Sequence, residues 1–152
     1  MGDGPERKRL EEAAEEYGIA HRTIFAGEVL WDRVSLYYRL GDLFVNASQS
    51  ETQGITYTEA LASGLPVVAM ADPCLEGVVR HGDNGFLFKE QTDLIGYIDS
   101  ILEDSSLQER MSAEACRSVS ELTGIRFAKA VEGLYGTTIA RAYVPVSTEK
   151  LS

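Results

Sequence analysis

The chain has 152 residues, a length that suits one domain, with 44% hydrophobic and 25% charged residues, ordinary proportions for a globular protein with a core. Its formal net charge of −10, without a visible cluster of Lys and Arg, argues against a nucleic-acid partner and against electrostatic docking of this segment on an anionic membrane. Cys74 and Cys116 have no metal-ligand spacing and are too few for a disulfide framework, which points to a reducing, cytoplasmic compartment; no apolar run approaches the ~20 residues of a membrane span, and the first residues lack the apolar core of a signal peptide.

The chain opens on turn chemistry, Gly2-Asp3-Gly4-Pro5, and Pro5 suits the first turn of a helix. Leu10, Ala13, Ala14 and Tyr17 recur at helical spacing, and Gly18 reads as the stop, as though a strand had preceded the turn. Thr23 to Ala26 reads as a short strand ended by Gly27. Asp32 is an expected N-cap for a helix through about Arg39, with Val34, Tyr37 and Tyr38 packing and Gly41 stopping it. Leu43 to Ala47 reads as a strand apolar enough for burial on both faces. A polar loop, Ser48 to Gln53, leads through Gly54 to a helix over Ile55–Ser63, closed by Gly64. After Pro66, Val67 to Met70 reads as a third strand and, beyond a Gly- and Pro-rich loop with a helical turn at Leu75 to Val79, Gly85 to Phe88 as a fourth. Thr92 caps a helix whose expected apolar face is Leu94, Ile95, Ile98, Ile101 and Leu102; Ser105 or Ser106 caps another through about Leu122, and a last helix runs from near Ile125 to Tyr143. Strands alternate with helices, so the expected fold class is α/β, a doubly wound parallel sheet with C-terminal helices, over residues 1–144, and a frayed tail over 145–152.

In such a sheet ligands sit beyond the carboxyl ends of the strands. Asn46-Ala47-Ser48 is such an end, and the helix that starts near Ile55 directs backbone N–H groups and the positive end of its dipole at the same crevice. Gly54 would let a ligand approach the backbone closely. Glu51 in the loop and Glu59 in the helix flank the helix start, a layout that suits an elongated ligand with hydroxyls at both ends and negative charge between them, since carboxylates accept from hydroxyls. Glutamates at this spacing also arise by chance in an acidic chain, and strand–loop–helix with a glycine is common α/β architecture.

The wording of the stretch adds more than its spacing. S-E-T-Q-G-I-T-Y-T-E-A-L-A-S-G-L-P-V-V-A resembles the E-x(7)-E signature of the family-four retaining glycosyltransferases of GT-B fold. Gly2-Asp3-Gly4-Pro5 resembles that family's G-x-G-P turn, Ile24 to Val29 its F-x-G-x-V segment, and His81 to Leu87 its hG-x-n-G-f-l segment, all in family order. The resemblance implies the C-terminal, donor-binding domain of a hexosyltransferase, truncated at its N-terminal edge. It implies that Glu51 contacts the donor sugar near the reacting carbon and is the catalytic candidate. Gly54, Ile55 and Thr56 would meet sugar and diphosphate, Glu59 the ribose hydroxyls, and Gly27 and Val29 the nucleotide, Val29 meeting the base through its backbone. The S-E-T-Q-G-I-T variant particularly resembles bacterial diacylglycerol glucosyltransferases, which implies a UDP-glucose donor, a glycerolipid acceptor and a full-length enzyme at the inner face of the cell membrane. No cofactor or metal is implied. The family's diphosphate-binding Arg and Lys and its acceptor-binding N-terminal domain are not in this chain, so the resemblance implies an isolated chain that is inactive and self-associates through the surface those parts would cover.

Other residues read as structural. His21 and His81 lack ligand spacing, Cys74 reads as an inert thiol, Asp72 and Glu76 as solvated loop acids, Trp31 as a core or rim residue, and Phe86 as packing. Three alternatives stand beside the transferase. A receiver-like regulator needs an acidic pair after its first strand, and a dinucleotide-binding oxidoreductase needs G-x-G-x-x-G; neither pattern is present. A GT-B sugar-nucleotide epimerase is separable only by its product.

Overall fold

The computed structural model of the chain describes residues 2–48, 54–120, 129 and 131–135. Its elements are α1 (Arg7–Glu16), α2 (Val34–Tyr38), β1 (Phe44–Asn46), α3 (Ile55–Ala62), β2 (Val67–Met70), β3 (Gly85–Phe88), α4 (Gln91–Glu103) and α5 (Ser105–Val119), with 3₁₀ turns at Ala20–Arg22 and Pro73–Leu75. The three strands form one parallel sheet in the order β1-β2-β3, with Val67 level with Phe44 on one side and Gly85 on the other.

Helices cover both faces of this sheet, as side-chain alternation along a strand requires when each face packs. Val67 and Ala69 of β2 face the cluster built with Tyr57, Ala60 and Leu61 of α3 and Tyr38 of α2. Val68 and Met70 face the cluster built with Leu94, Ile98 and Ile101 of α4. Helix α5 serves both, with Met111 in the second cluster and Ala115 and Val119 in the first. Residues Val67, Val68 and Ala69 are fully buried, and burial of each valine contributes about 1.5–3 kcal/mol.

Four expectations change. Thr23 to Ala26 is not a strand: among the described residues, one backbone bond joins this segment's neighbourhood to the opening turn, from the Gly2 N–H to the Gly27 carbonyl at 2.7 Å, and a single bond does not make a ladder. The described sheet therefore has three strands rather than four. Strand β1 is not buried on both faces, since Val45 is 42% exposed; α4 packs on β2 and β3 and leaves that part of β1 open. Within α4, Ile95 and Leu102 point outward while Tyr97 joins Leu94, Ile98 and Ile101 on the inner side. Helix starts also move by a residue or two: Arg33, not Asp32, precedes α2, Glu90 precedes α4, and Asp104 caps α5 by accepting from the Leu107 N–H at 3.0 Å. Residues 131–135 are helical, inside the expected last helix, whose remaining residues and tail lie outside those described.

Two buried features fix the loop between β2 and β3. Asn84 is fully buried; its Oδ1 accepts from the Arg80 N–H at 2.7 Å, and its Nδ2 donates to the Val78 carbonyl at 3.0 Å and to Ser118 Oγ at 2.9 Å. Gly85 follows, and a Cβ there would stand 2.1 Å from the Val67 carbonyl oxygen. His81, read as structural, closes the loop: its Nδ1 accepts from the Leu87 N–H at 3.1 Å, and its ring meets Phe86 and Tyr97 edge-on.

Candidate functional site: a cleft at the carboxyl end of β1

The cleft is assembled from four elements. Helix α3 begins at Gly54, which holds a left-handed φ of 61°. A Cβ at Gly54 would lie 3.7 Å from Leu75 Cδ2 and 3.7 Å from Tyr57 Cδ2, in ordinary contact, so the need for glycine here is conformational and costs another residue roughly 1–2 kcal/mol. The first intrahelical bond runs from the Thr58 N–H to the Gly54 carbonyl at 3.2 Å, so the N–H groups of Ile55 and Thr56 lie ahead of the ladder. Beside this helix start, β1 ends at Asn46, whose Oδ1 accepts from the Ser48 N–H at 2.8 Å and turns the chain away from the sheet. The segment around Glu28 and Val29 and the opening Gly2 close the far wall, and α2 supplies Tyr38 as the floor.

Together Gly2, Glu28, Val29, Tyr38, Phe44, Val45, Asn46, Thr56 and Glu59 enclose about 510 Å³, a size within the range of nucleotide-sized ligands. Three residues singled out by sequence, Val29, Thr56 and Glu59, converge on it from separate parts of the chain. Gly27 stands next to this wall through the bond from Gly2, with a φ of 69°. Ile55 is half exposed at the helix start, and Gly54 is buried beneath it. Glu51 lies outside the described residues. The acidic side chains on the cleft are Glu28 and Glu59, and among the described lining residues there is no Lys or Arg. Among the described residues no cluster of His, Cys, Asp and Glu suits a metal ion.

Tyr38, read from sequence as packing, also reaches the site. Its ring is 6% exposed and lies edge-on to Phe44, with centroids 5.7 Å apart. Its hydroxyl lies 3.4 Å from Glu59 Oε2 and 3.4 Å from the Thr56 carbonyl oxygen. Burial first, then the Glu59 charge, pushes the phenol up to about 12. Its double role as core and site residue had no signal in the sequence beyond a tyrosine on an apolar helix face. Trp31, expected in the core or at a rim, is 89% exposed and edges a neighbouring groove that also touches Tyr38 and Glu59. Asp72 is more than a solvated loop acid: it caps the Pro73–Leu75 turn by accepting from the Cys74 N–H at 2.8 Å, which lowers its carboxyl below the usual carboxylate range.

Residues 1–117 match the family model described as glycosyl transferases group 1. The chain belongs to the group 1 glycosyltransferases. Over 135 residues this group 1 chain is 36% identical to an alpha-monoglucosyldiacylglycerol synthase of Streptococcus pneumoniae, which covers 88% of the chain and 30% of that protein. It is 33% identical over 135 residues to the alpha-monoglucosyldiacylglycerol synthase of Acholeplasma laidlawii, covering 89% and 34%. The chain thus spans about a third of the length of these curated relatives. Among solved structures, sucrose-phosphate synthase from Thermosynechococcus elongatus superposes with a TM-score of 0.79 at 26% identity, covering 92% of this chain and 37% of that one. Anabaena HepE in complex with UDP and glucose superposes with a TM-score of 0.79 at 23% identity, a likeness of fold, covering 90% and 39%. These neighbours are GT-B glycosyltransferases, so the three-stranded parallel sheet with its helices is part of a GT-B α/β architecture. No described helix of this group 1 chain is long and apolar enough to cross a membrane.

Proposed function

We propose that this chain is the nucleotide-sugar-binding part of a retaining hexosyltransferase that takes glucose from UDP-glucose and passes it to a glycerolipid acceptor. The observation that carries the reading is the convergence of Val29, Thr56 and Glu59 on one cleft at the carboxyl end of β1, next to the start of α3. Family membership supports transfer chemistry. The names of the two diacylglycerol-acting relatives support the choice of glucose and glycerolipid.

Each residue has a distinct task in this reading. The Glu59 carboxylate accepts hydrogen bonds from the ribose hydroxyls. The N–H groups of Ile55 and Thr56, with the dipole of α3, face the diphosphate, and Gly54 sets that helix start. The backbone at Val29, turned by Gly27, borders the base. Glu51 meets the donor sugar near its anomeric carbon. As the bond between that carbon and the diphosphate breaks, negative charge collects on the leaving oxygens, and the helix N-terminus stabilises it without reorganisation. The acceptor hydroxyl then attacks from the face that the diphosphate leaves and gives its proton to the departing diphosphate oxygen, which retains configuration.

The cleft wall carries Glu28 and Glu59 and no Lys or Arg among its described lining residues, so in this reading the cations that hold the diphosphate, and the acceptor-binding surface, come from the rest of the full-length protein. The direct test is transfer of labelled glucose from UDP-glucose to diacylglycerol by the full-length protein. Production of a glucolipid with α configuration supports the reading. Release of an epimerised sugar nucleotide, or no lipid product with measurable donor binding, contradicts it.

A further inference from the structure

Tyr38 stands under the cleft with its ring in the core and its hydroxyl at the Glu59 carboxylate. The contact with Phe44 and the burial of the ring fix where the oxygen sits. Glu59 is exposed, and a glutamate in that setting samples several rotamers about its side-chain bonds unless a partner selects one. The phenol has one proton and two acceptors, each at 3.4 Å, the Thr56 carbonyl and Glu59 Oε2. An ionised carboxylate is the stronger acceptor of the two.

We infer that Tyr38 is a positioning residue that holds the Glu59 carboxylate toward the vicinal hydroxyls of a nucleoside diphosphate, and so makes the site select ribonucleotides over 2′-deoxyribonucleotides. The inference rests on the donor-binding reading above. With Oε2 engaged by Tyr38, Oε1 and the remaining lone pair of Oε2 accept from two adjacent hydroxyls, a geometry that a freely rotating carboxylate presents only part of the time. Burial, aided by the Glu59 charge, keeps the phenol protonated to about pH 12, so the donor is present throughout the neutral range. A purely packing role predicts something different. Replacing Tyr38 with Phe keeps the ring and its contacts and removes only the oxygen, so packing alone leaves no reason for the two nucleotides to respond differently.

The test is calorimetric binding of UDP and of 2′-deoxy-UDP to the full-length protein, as wild type, Tyr38→Phe, Glu59→Ala and the double variant. Wild type should prefer UDP by roughly tenfold, and Tyr38→Phe should weaken UDP about 3- to 10-fold while 2′-deoxy-UDP moves less than about twofold. The double variant should bind UDP no more weakly than Glu59→Ala alone, because the tyrosine acts through the glutamate and the alanine leaves it no acceptor at that position. Wild type that binds UDP while Tyr38→Phe leaves the ratio unchanged, or weakens both nucleotides equally, overturns the positioning role and leaves the donor reading standing. Wild type that binds neither nucleotide overturns the donor reading and this inference with it.

Discussion

Removing the Asn84 amide should destabilise the fold severely for one side chain, and the structure gives the size. The amide is fully buried and makes three hydrogen bonds, to the Arg80 N–H, the Val78 carbonyl and Ser118 Oγ. In Asn84→Ala the Ser118 hydroxyl keeps its bond to the Ala115 carbonyl, so two backbone groups lose their partner. Three net hydrogen bonds at ~0.5–1.5 kcal/mol each, with part of the cost of two stranded backbone groups, give about 2–4 kcal/mol. That is a large share of the stability of a typical domain, and it corresponds to roughly 6–12 °C in Tm. Urea unfolding followed by far-UV circular dichroism reads it directly; Trp31 is too exposed for its fluorescence to report on the core. Asn84→Asp probes the same three contacts with a charge. It keeps an acceptor for Arg80 but turns a buried carboxylate oxygen on the Val78 carbonyl. It should therefore be at least as unstable as the alanine at pH 7 and recover as pH falls and the acid protonates. A loss below about 0.5 kcal/mol for the alanine, or an aspartate equal to wild type at pH 7, would refute this account of the loop.

Gly85→Ala should cost more than about 3 kcal/mol, because the added carbon meets the Val67 backbone at 2.1 Å and the strands must part to admit it; an urea midpoint near that of wild type would show the β2–β3 pairing to be wrong. Tyr38 should titrate near pH 12 by absorbance at 295 nm, and Glu59→Gln should lower that value only in part, since burial is the larger cause. The folded phenol is raised above its ordinary value near 10, so the stability it contributes, at most about 2–3 kcal/mol, is intact below pH ~10 and lost as pH rises through about 12. Tyr38→Phe should remove that alkaline slope, and a slope unchanged by the substitution would mean that the phenol is not the group responsible.

The sheet core and the site differ in how far they could be read from sequence. Val67 to Met70 is a short apolar run fenced by Pro66, and it folds as the fully packed centre its composition implies. Thr23 to Ala26 has the same local character and is no strand, because pairing depends on a neighbour that local propensity does not encode. Val45 shows the same limit: its apolarity is local, while its exposure follows from where α4 lies. For the cleft, the wording around Gly54 and Glu59 marked one wall, and the F-x-G-x-V-like segment marked Val29 on another. Tyr38 was invisible as a site residue because its ring satisfies the pattern for core, and only the fold reveals that its hydroxyl emerges beside Glu59. The His81 to Leu87 motif turns out to hold the fold together through Asn84, Gly85 and His81, within residues that do not line the cleft.

The proposed function turns on Glu59 as the receiver of the ribose of a nucleotide-sugar donor. Its most direct test is the affinity of the full-length protein for UDP-glucose, measured by calorimetry for wild type and Glu59→Ala with circular dichroism confirming that both are folded. Loss of charge-assisted hydrogen bonds to two hydroxyls should raise Kd by roughly 10- to 100-fold. A folded Glu59→Ala protein that binds UDP-glucose as tightly as wild type would contradict it.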